Sequence, residues 1–335
     1  MTAAAAGAAL LALLVAVPAF VRARSGVSPR VAAGAYLVIL IGWGVLPAVW
    51  LACFTSALGS WLVGGGASGR GCLMGFDRGQ WDLVGYGLGG AVLGLLAWET
   101  LRVAAATHRA ELRGVALAQS SRCVVSGGTQ VWVVDSDQPA AYTGGLCRPK
   151  AVVTTALLAP LGPAESRAVC EHEAAHLRLG HPRLLLAGAS VAAAYGAFPP
   201  VRRAWDSLRR ELEAAADDEA VRAVGREAVL SALARVVLLT ATMTAAKPGR
   251  NGANFGGIEH LRYRIARLEE PRRARAAPTA LVASVAAGVV AATAWSMCVQ
   301  TGAHASLLAV AACSSAVSVV GLRPLWGGRP VAGAP

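Results

Sequence analysis

The sequence lacks the cysteine patterns that cross-link small secreted domains or bind metal ions through thiolates. Its seven cysteines are scattered along the chain, their number is odd, and no two of them form a C-x-x-C pair. Internal repeats, a phosphate-binding loop and a dinucleotide-binding fingerprint are also missing. Neither a disulfide framework, a cysteine-based zinc site nor a nucleotide-binding loop is therefore expected.

Acidic residues and lysine are both scarce. The chain has 19 Asp and Glu residues against 31 Lys and Arg residues, and its only lysines are Lys150 and Lys247. A strongly basic chain is often a nucleic-acid binder. Here the arginines concentrate beside apolar segments, where they fit membrane topology and lipid headgroup contacts better. No direct contact with nucleic acid is expected.

Polar residues are few for a chain of this length. Hydrophobic residues make up 55% of the sequence and the mean hydropathy is +0.52, which is too apolar for an ordinary soluble domain. Each long apolar run approaches the roughly 20 residues that a bilayer requires. These runs lie at 2–21, 36–55, 83–103, 278–299 and 305–321. The sequence therefore predicts a mainly α membrane protein with about five transmembrane helices and one soluble part.

Arginine placement predicts the orientation. No Lys or Arg precedes the run at 2–21, as it would in a cleaved signal peptide, so a retained helix with its N-terminus outside is expected. Placing the arginine-rich connections at 22–34, 102–277 and 322–335 in the cytoplasm satisfies the positive-inside rule. We expect a multi-pass plasma-membrane protein whose long connection is cytoplasmic. The spans carry almost no charge, which argues against a transporter or channel.

The long connection contains short segments with β propensity, at 115–117, 130–134, 140–142 and 151–154, separated by turn residues. They predict a small sheet. Ala140, Ala141 and Tyr142 are candidates for an edge strand on which a substrate backbone is laid, although they fit a purely structural strand equally well. The apolar segment 184–198 is too short to span a bilayer and predicts a helix buried against the membrane region or lying in the interface.

The most informative stretch is 168–181, which contains His172, Glu173 and His176 in the pattern H-E-x-x-H. On a helix the two histidines lie four apart on one face, so both imidazoles can bind one Zn²⁺ while Glu173 reaches a water on that metal. The same short pattern also arises by chance, with solvated side chains. A third ligand from elsewhere is needed to decide.

A second helical stretch, 208–220, offers that ligand. Glu213 and Asp217 lie four apart on one face and suit a zinc carboxylate and an outer partner for a ligating histidine. Glu211 competes for the ligand position, but the residue four beyond it is Ala215. Glu213 is therefore preferred, although an ordinary solvated acidic face is the alternative for this segment taken alone.

Taken in order, these motifs resemble the BlaR/MecR-type family of integral-membrane zinc metallopeptidases and, more distantly, the HtpX and CaaX prenyl endopeptidases. The resemblance covers about residues 80–270 and includes Tyr142-Thr-Gly-Gly, His172-Glu-Ala-Ala-His, His181-Pro, Glu213-x-x-x-Asp and Arg264-Ile-x-Arg-Leu. It implies a gluzincin-type fold with His172, His176 and Glu213 as zinc ligands and Glu173 as catalytic base. It also implies regulated cleavage of a protein such as a transcriptional repressor.

The resulting domain prediction places a three-helix membrane region at 1–104, a small α+β zincin-like metallopeptidase domain at 105–277 and a C-terminal transmembrane hairpin at 278–335. The antibiotic-sensing relatives add a penicillin-binding domain and a Ser-x-x-Lys motif, and this sequence has neither, so β-lactam sensing is not expected. Glu171 also departs from the family, which usually carries an uncharged residue before the first histidine.

Two questions stay open at this point. The group that stabilises an oxyanion is not identified, with His181, Tyr195, His260 and Tyr263 as candidates that each fit a structural role at least as well. A catalytically silent membrane sensor or scaffold with a peptidase-like fold is the main alternative function. Retention of the complete set of histidines and carboxylates argues against it, because a scaffold needs none of them.

Overall fold

The computed structural model describes residues 28–64, 78–117, 122–145, 149–246 and 258–269, and these ranges are mostly helical with one small sheet. The helices are α1 (Pro29–Gly64), α2 (Arg78–Leu117), α3 (Thr155–Leu158), α4 (Pro163–Arg178), α5 (His181–Tyr195), α6 (Pro199–Val224), α7 (Arg226–Ala246) and α8 (Ile258–Glu269). The strands are β1 (Arg122–Ser126), β2 (Thr129–Val134), β3 (Ala141–Gly144) and β4 (Lys150–Thr154). The expected mainly α architecture with a small sheet is confirmed.

One helix of the described part of the chain is long and apolar enough to cross a bilayer. It covers Gln80–Arg109 within α2, and only 6% of its apolar window is buried. Large apolar side chains such as Leu83, Trp98 and Leu101 are exposed along it. Three of the five predicted spans, at 2–21, 278–299 and 305–321, lie outside the described residues, so the number of spans stays a prediction.

The sheet has the strand order β1-β2-β4-β3, with β2 and β4 parallel and the two outer pairs antiparallel. Gly127 and Gly128 join β1 to β2 in a two-residue hairpin, and both have positive φ. The predicted strand at 115–117 is wrong, because these residues form the last turn of α2. Three apolar residues are too few to override a helix that already runs through them. β3 lies at one edge of the sheet.

Two apolar cores support the helices. The first joins the sheet to α4 and α7 through residues such as Val131, Val153 and Leu233. The second joins α1 to α5 and α6, where Tyr36 and Leu40 of α1 pack in one cluster with residues that include Leu184, Val191, Leu208 and Leu212. The segment predicted as a short buried helix forms most of α5. α1 packs directly on α5 and α6, the helices around the site described next.

Candidate metal centre

α4 presents two imidazoles on one face. The helix begins at Pro163, whose missing N–H costs nothing in a first turn, and the Glu165 carboxylate accepts a hydrogen bond from Gly162 N–H at 2.8 Å. Two turns later His172 and His176 come together because they are four residues apart. Their Nε2 atoms are 3.1 Å from each other. This is the pairing that the spacing predicts.

α6 brings a carboxylate to the same point. Glu213 Oε2 lies 3.4 Å from His172 Nε2, and Glu213 Oε1 lies 3.6 Å from His176 Nε2. One ligand atom from each of the three side chains can be chosen so that all lie within 4.8 Å of one another. Within the described ranges, this is the group of residues that could hold a metal ion.

The donor set fits zinc. With bonds of about 2.1 Å in a tetrahedral site, two ligand atoms are separated by about 3.4 Å, and the three contacts above lie close to that value. Two imidazole nitrogens and one carboxylate oxygen are also a ligand set of catalytic zinc sites, which keep a fourth position for water or substrate. The residues therefore match the metal that the sequence pattern implies.

Each histidine ring has a polar side chain close to its second nitrogen. Asp217 Oδ1 lies 3.0 Å from His172 Nδ1, and His181 Nδ1 lies 2.8 Å from His176 Nδ1. Gly180 makes the second contact possible, because its left-handed backbone (φ +67°) turns the chain sharply between α4 and α5. Such outer partners fix the orientation and tautomer of ligating histidines.

Arg264 of α8 connects the two carboxylates of α6. Its Nε and Nη2 donate to Asp217 Oδ2 and Oδ1 at 2.8 and 2.7 Å, and its Nη1 lies 3.2 Å from Glu213 Oε2. Asp217 is only 1% exposed, and a buried carboxylate requires such a partner. The guanidinium and the neighbouring His172 hold the pKa of Asp217 below its ordinary value, although burial alone would raise it.

Glu173 points to the strand side of α4. Thr143 Oγ1 of β3 lies 2.8 Å from Glu173 Oε2 and 3.1 Å from the Glu173 backbone oxygen. The carboxyl group is buried, and this burial raises its pKa. A raised carboxyl pKa brings the group nearer to the pH at which it exchanges protons efficiently as a general base.

The pKa values of His172 and His176 are shifted in opposite directions. Burial disfavours a charged His172, yet its contacts with Asp217 and Glu213 outweigh burial and raise the pKa of His172 to about 10. Burial lowers the pKa of His176 to about 4, and its partner His181 is buried and uncharged at neutral pH for the same reason. Asp217 contacts His172 alone, whereas Glu213 contacts both imidazoles.

These side chains line a single cavity of about 320 Å³. Its polar lining includes His172, Glu173, His176, Glu213, Asp217 and Arg264. The volume is at the lower end of the range for ligand sites, about 300–1,000 Å³. The cavity therefore has room for a few side chains or a short stretch of peptide next to His172, His176 and Glu213.

The family model for peptidase family M48 matches residues 107–302. The chain belongs to peptidase family M48. M48 peptidases are typically zinc-dependent, so the expectation of a metallopeptidase is confirmed at the level of the family. No curated protein and no solved structure matches the chain.

The edge strand of this M48 peptidase borders the cavity, but with a shift from the predicted residues. Ala141 and Tyr142 line the cavity, together with Thr143. Ala140 precedes β3, and its backbone N–H and C=O both bond Thr154. Thr143 escaped the sequence reasoning, although it belongs to the Tyr142-Thr-Gly-Gly motif.

The four oxyanion candidates of the M48 peptidase separate clearly. His260 lines the cavity. The hydroxyl of Tyr263 donates to Glu211 at 3.1 Å, that of Tyr195 donates to the Gly44 carbonyl at 3.4 Å, and His181 contacts His176. Glu211, the alternative third ligand, thus accepts a hydrogen bond from Tyr263. Glu171 forms an ion pair with Arg178, with 3.3 Å between Oε2 and Nη2.

Proposed function

We propose that this M48 chain is a membrane-associated zinc endopeptidase of the gluzincin type. His172, His176 and Glu213 hold the ion, and Glu173 is the general base. The observation that carries the proposal is the convergence of two imidazole nitrogens and a carboxylate at separations that suit one tetrahedral ion, with the Glu173 carboxylate lining the same cavity.

A zinc ion held by these three residues would supply Lewis-acid activation of water and of the scissile carbonyl. Glu173 takes the proton of the attacking water and passes it to the leaving amine. Thr143 holds the Glu173 carboxylate in place through its hydroxyl. Arg264 and Asp217 hold Glu213 and His172 in place during this proton transfer, because Arg264 contacts Glu213 directly and reaches His172 through Asp217.

The substrate is an extended protein segment that adds to the edge of the sheet at β3. In an antiparallel pair, alternate residues bond the neighbouring strand. Ala140 bonds Thr154 of the neighbouring strand, so the alternate residues Ala141 and Thr143 direct their backbone N–H and C=O groups to the open edge of β3. A substrate strand pairing there passes the Glu173 carboxylate, which Thr143 contacts.

Membrane association and regulation are the finer parts of the proposal. The exposed apolar surface of α2 suits lipid, and the arginine pattern favours a cytoplasmic peptidase domain with the N-terminus outside. The resemblance to the BlaR/MecR type suggests a cytoplasmic protein substrate such as a transcriptional repressor. The proposed domain limits are 1–104, 105–277 and 278–335, with the peptidase unit in the middle.

The test uses the full chain purified in detergent and loaded with zinc, assayed on a library of internally quenched peptides. Glu173→Gln should bind as much zinc as the unaltered protein but hydrolyse no peptide above background. Glu227→Gln, which changes an exposed carboxylate on α7, is the matched control and should keep full activity. Hydrolysis that is equal in the Glu173→Gln variant, or absent from the zinc-loaded unaltered protein, contradicts the proposal.

The natural substrate can then be sought in cells. Protein fragments that appear in cells with the unaltered chain and disappear with Glu173→Gln are products of this site. A repressor among them supports the regulatory role. If the only fragments derive from extracytoplasmic proteins, the proposed orientation is wrong.

A further inference from the structure

The cavity has two unlike ends, and the helix directions show which residues lie at each. α4 and α6 are antiparallel, because His172 contacts Asp217 and His176 contacts Glu213. Residues that precede His172 on α4 therefore lie at the opposite end of the cavity from residues that precede Glu213 on α6. The metal centre separates these two ends.

The end that precedes His172 is apolar. Ala168 and Val169 of α4 line it together with Val229, Leu233 and Val236 of α7. All five belong to the first apolar core and are at most 9% exposed. An aliphatic side chain fits these apolar surroundings, whereas a charged side chain would lose its hydration there without gaining an ion-pair partner.

The end that precedes Glu213 carries a guanidinium and an imidazole. Arg209 lies one helical turn before Glu213, and His260 lies one turn before Arg264 on α8. The Arg209 guanidinium lies 5.8 Å from the centre of the Trp205 ring, and no carboxylate of the described residues is within ion-pair distance of it. His260 Nδ1 is buried and lacks a hydrogen-bond partner in the same part of the chain.

We propose that Arg209 and His260 form a subsite for a substrate carboxylate, so that the peptidase cleaves segments with an aliphatic residue on one side of the metal centre and an Asp or Glu on the other. This inference rests on the proposed peptidase function. Within the described residues the guanidinium has no carboxylate partner and the imidazole nitrogen has no hydrogen-bond partner, so both can donate to a carboxylate. The net charge of +12 attracts acidic segments in the same sense.

An anionic lipid headgroup is the competing ligand for Arg209 and His260. The position of Arg209 and His260 favours the peptide, because both line the cavity that holds Glu173 and Glu213. The exposed Arg202 and Arg203, which precede Arg209 on α6, are better placed for a membrane surface. A headgroup site and a substrate site therefore predict different effects for Arg202 and Arg209.

The experiment measures binding and cleavage separately. Glu is scanned through the positions that flank a central leucine in a fluorescent peptide, with Gln at the same positions in the reference peptides. Affinities are measured by fluorescence anisotropy on the Glu173→Gln variant, which holds peptides without turnover, and kcat/KM is measured on the active chain. At one or more positions the Glu peptide should bind about fivefold tighter or more than its Gln reference.

Arg209→Gln should lower the affinity for each Glu peptide to that of its Gln reference on the same variant, Arg209→Lys should keep part of the preference, and Arg202→Gln should keep all of it. Equal affinity for every Glu and Gln pair overturns the subsite, whether or not peptides are cleaved. A preference for Glu that persists in Arg209→Gln also overturns the subsite. So does an Arg209→Gln variant that loses binding to phosphatidylglycerol vesicles but keeps its preference among peptides. Absence of cleavage with the preference intact contradicts the proposed function and supports the subsite.

Discussion

Arg264 donates two hydrogen bonds to Asp217, at 2.8 and 2.7 Å, although 47 positions separate the two residues. Asp217 in turn lies 3.0 Å from the Nδ1 atom of His172. A chain of three side chains therefore runs from α8 to the first metal-facing imidazole. The orientation of that imidazole depends on a helix that the sequence places well beyond the H-E-x-x-H motif.

Arg264→Lys should weaken zinc binding about 10- to 100-fold, as other losses of outer partners do. Lysine keeps the charge but has no planar fork with which to bond both oxygens of Asp217. The measurement is the zinc retained after dialysis against a graded series of chelator concentrations. Arg262→Gln, an exposed change on the same helix, should have no effect. Retention of zinc by Arg264→Lys at the unaltered level would show that the guanidinium is dispensable.

Glu213→Ala should abolish tight zinc binding, whereas Glu211→Ala should leave it intact. The two residues lie two apart on α6 and point in different directions, Glu213 to the histidines and Glu211 to the Tyr263 hydroxyl. Metal analysis of the two purified variants separates them, with Asp217→Ala expected to fall between them. Loss of zinc in Glu211→Ala alone would mean that the assigned register of α6 is wrong.

Thr143→Val should lower kcat about tenfold or more, since a hydrogen bond to a charged group contributes about 1.5–3 kcal/mol. The hydroxyl contacts the Glu173 carboxylate but none of the metal-facing atoms, so zinc content should not change. Thr143→Ser keeps the hydroxyl and should restore most of the rate. A valine variant that keeps the unaltered rate would show that the hydroxyl is dispensable, and a serine variant as slow as valine would show that the hydroxyl alone is not sufficient.

Glu165→Gln should destabilise the protein at neutral pH and have little effect in acid. Hydrogen bonds from Ser231 and from Gly162 N–H, with Arg235 nearby, hold the pKa of Glu165 below its ordinary value. The stabilisation by the carboxylate is thus present above the ordinary carboxyl pKa and is lost as the pH falls through the lowered value. Thermal unfolding of both proteins across that range should show midpoints that converge in acid. A constant difference at every pH would point to packing instead.

Reporter fusions test the membrane orientation. A reporter placed after Ser120 and one at the C-terminus should both work only as cytoplasmic reporters, because arginine-rich connections favour that side. An exported reporter that is active after Ser120 would reverse the topology and place the cavity outside the cytoplasm.

The predicted part of the site is the part that helical spacing determines. His172 and His176 meet because four residues separate them on α4, and Glu213 and Asp217 share a face of α6 for the same reason. The hairpin of β1 and β2 also had a local signal in Gly127-Gly128, although the sequence reasoning did not use it. Local geometry alone accounts for these features.

The remaining contacts depend on tertiary structure. Thr143 reaches Glu173 from 30 positions away and Arg264 reaches Asp217 from α8, and neither pairing leaves a periodic trace in the sequence. His181 was noticed, but as an oxyanion candidate, because only the turn at Gly180 brings it to His176. The strand expected at 115–117 failed since β propensity over three residues is weaker evidence than a continuing helix.

The packing of α1 limits where the chain can be shortened. Tyr36 and Leu40 of α1 share a core with Leu208 and Leu212 of α6, and Leu212 immediately precedes Glu213. A chain that starts at residue 105 would expose these leucines to water next to the metal-facing carboxylate, and α2 would be cut within its own length. A soluble fragment that retains the site must therefore carry α1, or polar substitutions on the face of α6 that α1 covers.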